Sequence, residues 1–399
     1  MIADLHIHSK YSRGCSININ FFNLERFARI KGIDLLGTGD FQHPKWYEEI
    51  NKNLKEEDGV LWSKNKFPFL WQTEISLIYS DEKGRRIHYV VLAPNKEVVE
   101  QIIEMLGKKG RLDYDGRPIF GITSVEFIEL LMEIDEKIEV IPAHCMTPWF
   151  AIFGSKSGYD NVEECFKEKS KYVHAIESGM SADPEMLRRV SKWDRLNIVS
   201  FSDSHSFYPW RLGREATEFD CEVKYKDIIN AIRTKKGLKR TIETWPEYGK
   251  YHFDGHRNCK VCFSPNETKQ HKGICPKCGR LLTIGVENRI EELADREKGM
   301  KEDYIKLIPL HELIGVVYNI KLLNSKKVDD VYNLFIKEFG NEFNVLLKVS
   351  FEDLKKVDEK VADVVIRCRE GKINVKPGYD GEYGRVDLEK KEQKNLMNF

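Results

Sequence analysis

Net charge is missing from this chain: 64 Lys and Arg stand against 64 Asp and Glu over 399 residues. Whole-molecule charge therefore singles out no class of partner. No apolar run approaches the roughly 18–20 residues that a membrane-spanning helix requires. The N-terminus also lacks the charged start, apolar stretch and small-residue cleavage site of a secretory signal. The expectation is a cytoplasmic protein with no membrane partner. Internal repeats and low-complexity tracts are absent too, which excludes a repeat architecture. Cysteines number nine, and an odd count in a cytoplasmic chain argues against a disulfide framework. Cys15, Cys145, Cys165, Cys221 and Cys368 are scattered and read as small buried apolar groups. The other four are clustered.

Hydrophobic residues make up 41% of the chain, enough for a sizeable core. Up to residue 245 short apolar runs alternate with helical patterns. MIADLHIH, IDLLGTGD, FPFLWQTEIS, RIHYVVLAP, KIEVIPAHC, KYVHAIESG and LNIVSFSDSHS read as strands. NFFNLERFARIKG, TSVEFIELLMEID, DPEMLRRVSKW and YKDIINAIRTKKG read as helices. This alternation implies parallel βα units, and their number suggests a closed, barrel-like sheet. Residues 246–288 form a linker and a cysteine module. Residues 289–399 read as a helical C-terminal domain, with a Gly/Pro-rich hairpin (GKINVKPGYDGEYGRVDL) and a charged tail.

Residues two apart on a strand share a face. His6 and His8 in DLHIH therefore project together, as do Asp203 and His205 in SDSH. Asp40 follows IDLL, Glu74 follows FPFL, His88 precedes YVVLAP and His144 follows EVIP. Each lies in or at the end of an expected strand, where the rim of a parallel barrel gathers its functional groups. Nitrogen and oxygen ligands with little sulfur suit Zn²⁺, Mn²⁺, Fe or Mg²⁺. So many ligands exceed the needs of one ion, and a carboxylate such as Glu74 can bridge two.

DLHIHSKYS, GTGD, the isolated Glu74, PAHC and FSDSH resemble, in order, the motifs of the PHP (polymerase and histidinol phosphatase) family of metallophosphoesterases. The resemblance implies a distorted βα barrel holding two or three divalent ions: Zn²⁺, with Mg²⁺ or Mn²⁺ as alternatives. It places His6, His8, Glu74 and Asp203 on the first ion. Glu74, His88 and His144 fall on the second, and Asp40 with His205 on the third. His6, His8, Glu74, His144, Asp203 and His205 would form the catalytic set. Two departures bear on the third ion. Asp40 stands where the family usually has His, and Gly14 stands where many members have another His. His43 is an alternative ligand there.

Cys259 and Cys262 in CKVC, then Cys275 and Cys278 in CPKC, have the spacing of a closed tetrahedral zinc site. The expectation is a structural four-Cys zinc ribbon. Between Cys221 and Arg280 there are 14 Lys and Arg against 6 Asp and Glu. Trp245, Tyr248, Tyr251, His252 and Phe253 are interleaved with them. Cations for phosphates and rings for unpaired bases suit nucleic-acid binding.

The order of metal-site domain, linker, cysteine ribbon and helical region resembles the endonuclease Q family of DNA repair enzymes. KGIDLLGTGDFQHPKW, AIESGMSADPEM and VKPGYDGEYG carry the likeness further. It implies cleavage of the phosphodiester 5′ to uracil, hypoxanthine, xanthine or an abasic site. Ser9, Tyr11 and Ser12, directly after the first motif, are candidate substrate contacts. So are Glu177, Ser178, Gly179 and Met180 after a strand end, with backbone N–H groups of 178–180 available to a base carbonyl. A histidinol-phosphatase-like small-molecule phosphatase would share the metal face without needing the ribbon. A third reading is a nucleic-acid-binding module with a purely structural metal site. QKNLMNF, Gln393–Phe399, resembles a sliding-clamp (PCNA) docking motif. A monomer is expected.

Overall fold

The computed structural model describes residues 1–387. The Gln393–Phe399 motif lies outside the described residues. The molecule is a mixed α/β structure rather than a regular run of parallel βα units. Strand Ile2–Asp4 pairs in parallel with Leu35–Gly37 and antiparallel with Ala216–Phe219. Leu35–Gly37 pairs in parallel with Pro68–Asp81. Strands Pro68–Asp81 and Lys83–Ala93 then form a long antiparallel hairpin, where the sequence pattern implies a parallel pair. The connection is a turn around Glu82, too short for the crossover a parallel pair requires. Ala175–Glu177 and Asn197–Val199 pair in parallel as a separate two-stranded unit. An isolated parallel bridge, Ile7 to Ser204, joins the stretch after the first strand to the stretch after Asn197–Val199.

Local chemistry sets the elements around this sheet. Helix Phe21–Lys31 starts where the Asn20 side chain accepts the Asn23 N–H, and ends at Gly32, whose φ of 94° suits a residue without a Cβ. Phe21 stacks on Trp46 at 4.8 Å and meets Phe69 edge-on at 5.4 Å, so helix and sheet share one core. The region after residue 289 is mainly helical, as the pattern implies, yet it also supplies strand Tyr304–Lys306, parallel to Leu238–Glu243. A buried ion pair ties the helices to the rest: Lys31 Nζ lies 2.7 Å from Glu342 Oε1 and also donates to the Pro209 carbonyl. The Gly/Pro segment forms the expected hairpin, Asn374–Lys376 with Arg385–Asp387. No helix among the described residues is long and apolar enough to cross a membrane.

Candidate active site

Extended backbone after Asp4 explains the His-x-His placement. Leu5 and Ile7 turn into apolar cores, so His6 and His8 face the other way and are themselves buried. Glu74 and His88 come together through hairpin register. Ser76 lies opposite His88, and Glu74, two residues from Ser76, shares that face. Asp40, His144 and Asp203 follow strand ends in left-handed backbone, with φ of 39°, 32° and 47°. Such conformations cost free energy in residues with a Cβ and cluster at functional sites.

Two ligand groups result, and they share Glu74: His6, His8, Glu74 and Asp203 in one, Glu74, His88 and His144 in the other. His8 Nε2 lies 3.1 Å from Asp203 Oδ1 and 3.3 Å from Glu74 Oε2. His88 Nδ1 and His144 Nε2 lie 2.8 and 3.2 Å from Glu74 Oε1. Outer contacts aim these rings. His6 Nδ1 donates to Glu177 Oε1 at 2.9 Å, His8 Nδ1 to Asp40 Oδ1 at 3.0 Å and His144 Nδ1 to Thr147 Oγ1 at 3.0 Å. In each case Nε2 is left toward the cluster. His6 Nε2 is buried without a hydrogen-bond partner among the described residues. An orphaned imidazole nitrogen facing carboxylates fits a divalent cation, and imidazole nitrogens with anionic carboxylate oxygens suit the metals that these ligands favour.

Burial works against charging His6, but Glu177 and Glu74 outweigh it and raise its pKa. Burial also opposes ionisation of Glu74, yet His88, Arg117 and His6 hold its carboxyl well below the usual range. Arg117, which no sequence motif marks, reaches Glu74 Oε2 at 3.2 Å from a loop.

Asp40 and His205, the expected third pair, both border His8. Asp40 is buried and spends its oxygens on His8 Nδ1, the Ser9 N–H and the Ser12 hydroxyl. His205 instead packs its ring on His8 at 4.6 Å. Asp40 serves as the acceptor that orients His8. His43 stacks on Tyr11 at 4.4 Å and belongs to neither group.

A cavity of about 660 Å³ opens beside the cluster, lined among others by His88, His144, Asp203, Arg117, Trp149 and Tyr251. Glu177, Gly179 and Met180 line it; Ser9, Tyr11, Ser12 and Ser178 do not. Ser9 and Ser12 bond Asp40, and the Tyr11 hydroxyl donates to Glu49. The Ser178 N–H is committed to the Val199 carbonyl, and of residues 178–180 only the Gly179 and Met180 N–H groups have no partner among the described residues. Gly179 has φ 70°, and a Cβ there would lie 2.7 Å from His144 Cβ. Only glycine lets this loop pack so closely against His144.

The chain superposes along its whole length on the crystal structure of the lesion-specific endonuclease PfuEndoQ from Pyrococcus furiosus. The match covers 99% of that protein, at 30% identity and a TM-score of 0.86. The chain belongs to the endonuclease Q family. A second endonuclease Q structure, in complex with a 27-mer duplex bearing an abasic lesion at the active site, matches at 31% identity and TM-score 0.88, with all of both chains covered. A protein of Methanocaldococcus jannaschii, MJ0043, is 35% identical over 255 residues. That stretch is 61% of this chain, which spans only about a third (31%) of the relative's length. Residues 309–372 match the family described as the MJ0043 C-terminal domain.

In this endonuclease Q family member the cysteine module departs from the four-Cys expectation. His256, Cys259, Cys275 and Cys278 form the candidate metal group, and Cys262 stands outside it. Hairpin register is the reason. His256 pairs with Val261, and Gly255 with Cys262. Cross-strand partners share a face and sequence neighbours do not, so His256 projects on the Val261 side, where Cys275 packs. Cys262 takes the opposite side. His256 Nδ1 lies 3.3 Å from Cys278 Sγ. Burial raises the Cys275 thiol, but the Lys277 and Cys278 N–H groups and His256 prevail and bring it down to about 6. Burial, with Glu267 and Asp254 nearby, pushes Cys262 up to about 11. Burial and the neighbouring Cys278 and Cys275 push Cys259, inside the group, up to about 11 as well, so the grouping rests on the hairpin register and not on these shifts.

Proposed function

We propose that this protein is a metal-dependent DNA repair endonuclease that cuts the phosphodiester 5′ to a deaminated base or an abasic site. The observation that carries it is Glu74 shared between two imidazole-bearing groups beside a cavity whose walls hold both cations and aromatic rings. The likeness to a lesion-bound family structure supports the same reading. In these terms residues 1–245 are a distorted PHP-type barrel, 246–288 a zinc module and 289–399 a C-terminal domain.

His6, His8, Glu74 and Asp203 would hold one ion, and Glu74, His88 and His144 a second; Zn²⁺, Mn²⁺ and Mg²⁺ all suit this donor set. When bound, the ions supply electrophilic activation of the scissile phosphate and of a water molecule. The chain's own groups do the rest. Glu177, Asp40 and Thr147 fix the imidazole tautomers. Arg117 adds a fixed positive charge beside Glu74, where phosphate charge builds up during cleavage. Trp149, Phe150 and Tyr251 offer apolar faces to an unstacked base. A weakened or missing pair lowers the cost of extruding that nucleotide. The Gly179 and Met180 N–H groups would donate to the carbonyl that deamination puts in place of an amine.

A small-molecule phosphatase needs neither this wide cavity nor the cationic module. Nicking of a duplex containing one uracil or abasic site, set beside turnover of a phosphate monoester, tests the choice. The protein should nick only the lesion strand. Asp203→Asn should abolish nicking and lower the bound-metal content; full activity in Asp203→Asn would end the metal reading.

A further inference from the structure

Three cationic or phenolic side chains from distant segments meet on one wall of the cavity. Arg214 precedes strand Ala216–Phe219, Lys250 follows the turn at 246–248, and Tyr383 sits between the strands of the C-terminal hairpin. All three line the cavity. Arg214 is only 9% exposed, and among the described residues no carboxylate forms an ion pair with it. Its Nε donates to the Ser202 carbonyl at 3.0 Å and its Nη1 to the Tyr383 hydroxyl at 3.5 Å. The other terminal nitrogen donates to no described acceptor. Lys250 Nζ stands 4.6 Å from the centre of the Tyr383 ring, and the Arg211 guanidinium 5.3 Å from it. Neither cation pairs with a described carboxylate.

Asp203 and Glu215 are near enough to Arg214 to favour its charge, but neither is directly paired with it, and burying a guanidinium without a directly paired carboxylate is costly. A protein that needed Arg214 only to brace the hairpin would do better with a neutral donor. Its planar fork matches the oxygens of a phosphate, and a lysine beside it adds charge without adding directional constraint. The phenol registers the resulting field. Burial pushes the Tyr383 hydroxyl up, but Arg214, Arg211 and Lys250 reverse this and bring it down to about 8. The anchor of Arg214 is the carbonyl of Ser202, the residue before Asp203 of the ligand group. The cationic wall is thus next to the cluster but separate from it.

We infer that Arg214, Lys250 and Tyr383 form a second phosphate subsite, which grips the DNA phosphodiester neighbouring the one that is cut. This rests on the endonuclease reading. The subsite has a purpose distinct from chemistry: holding a flanking phosphate fixes the register of the strand, so the lesion's own 5′ linkage reaches the cluster.

Methylphosphonate scanning tests it. Binding of a uracil-containing duplex is measured in EDTA, with one neutral linkage placed in turn at each position around the lesion. For the unaltered protein, neutralising one flanking linkage should weaken binding about tenfold, the loss of one charge-assisted contact. Lys250→Gln and Arg214→Gln should each weaken binding to unmodified DNA and make that same linkage silent, while other linkages stay sensitive. Each should also lower the slope of log Kd against log salt by about one. Lys250 is partly exposed and its side chain makes no hydrogen bond among the described residues, so Lys250→Gln serves where Arg214→Gln disturbs the hairpin. If every neutral linkage weakens Lys250→Gln and the unaltered protein alike, the subsite is refuted. Failure of the endonuclease reading shows separately, as absence of nicking and of lesion preference in the unaltered protein.

Discussion

Glu177 stands behind His6 and beneath His144 at once: Oε1 accepts His6 Nδ1 at 2.9 Å and Oε2 accepts the His144 backbone N–H at 2.7 Å. One carboxylate thus aligns a member of each ligand group. Such outer contacts are worth about 10–100-fold in metal affinity or activity. Glu177→Gln keeps the shape and loses the charge. It should reduce metal affinity or nicking by that factor while thermal unfolding of the metal-free protein changes little. Titration with Zn²⁺ or Mn²⁺ beside a nicking assay checks this.

The cysteine module gives a sharp spectroscopic expectation. With His256, Cys259, Cys275 and Cys278 as ligands, Co²⁺ substitution should show thiolate-to-metal absorption of a three-sulfur, one-nitrogen site. Cys262→Ser should leave that spectrum and the zinc stoichiometry intact. His256→Ala should alter both. Loss of zinc in Cys262→Ser would restore the four-Cys assignment.

Lys31 and Glu342 are both about fully buried, and Glu342 also accepts from the Tyr332 hydroxyl and the Leu310 N–H. Removing one partner of a buried pair leaves the other charge uncompensated, at a cost of about 3–5 kcal/mol. Lys31→Met should lower unfolding stability by that amount in a denaturant titration. It should not change lesion choice, since the pair is not part of the cavity wall.

Tyr383 should titrate early. Its pKa near 8 reflects Arg214, Arg211 and Lys250 prevailing over burial, with Tyr248 and Tyr251 as its uncharged neighbours. A lowered phenol pKa means the group is neutral below that value and negative above it. The phenolate would cancel part of the field of Arg214 and Lys250, so DNA affinity should fall as pH rises through about 8. Tyr383→Phe should remove that component of the pH profile, together with the early rise in phenolate absorbance.

Much of the site was legible in residue order because strand alternation is a local rule. His6 with His8, and the isolated Glu74, His88, His144 and Asp203 at strand ends, could be placed on one face without knowing the fold. The CxxC pairs announced a metal module for the same reason: the ligands sit in short turns whose geometry the intervening residues set. What spacing cannot fix is which face a paired strand presents. That depends on a partner strand, and it moved Cys262 out of the metal group and His256 into it. Strand pairing also made Pro68–Asp81 and Lys83–Ala93 a hairpin and so set Glu74 beside His88. Arg117, Arg214 and Tyr383 follow no local pattern at all, because they reach the cavity from loops whose paths are decided by packing. The sequence alone determined which donors were available and which of them lay on common strands; tertiary structure alone decided which oxygens were already spent, as those of Asp40 are on His8, Ser9 and Ser12, since a hydrogen bond between distant segments exists only once the chain has closed around it.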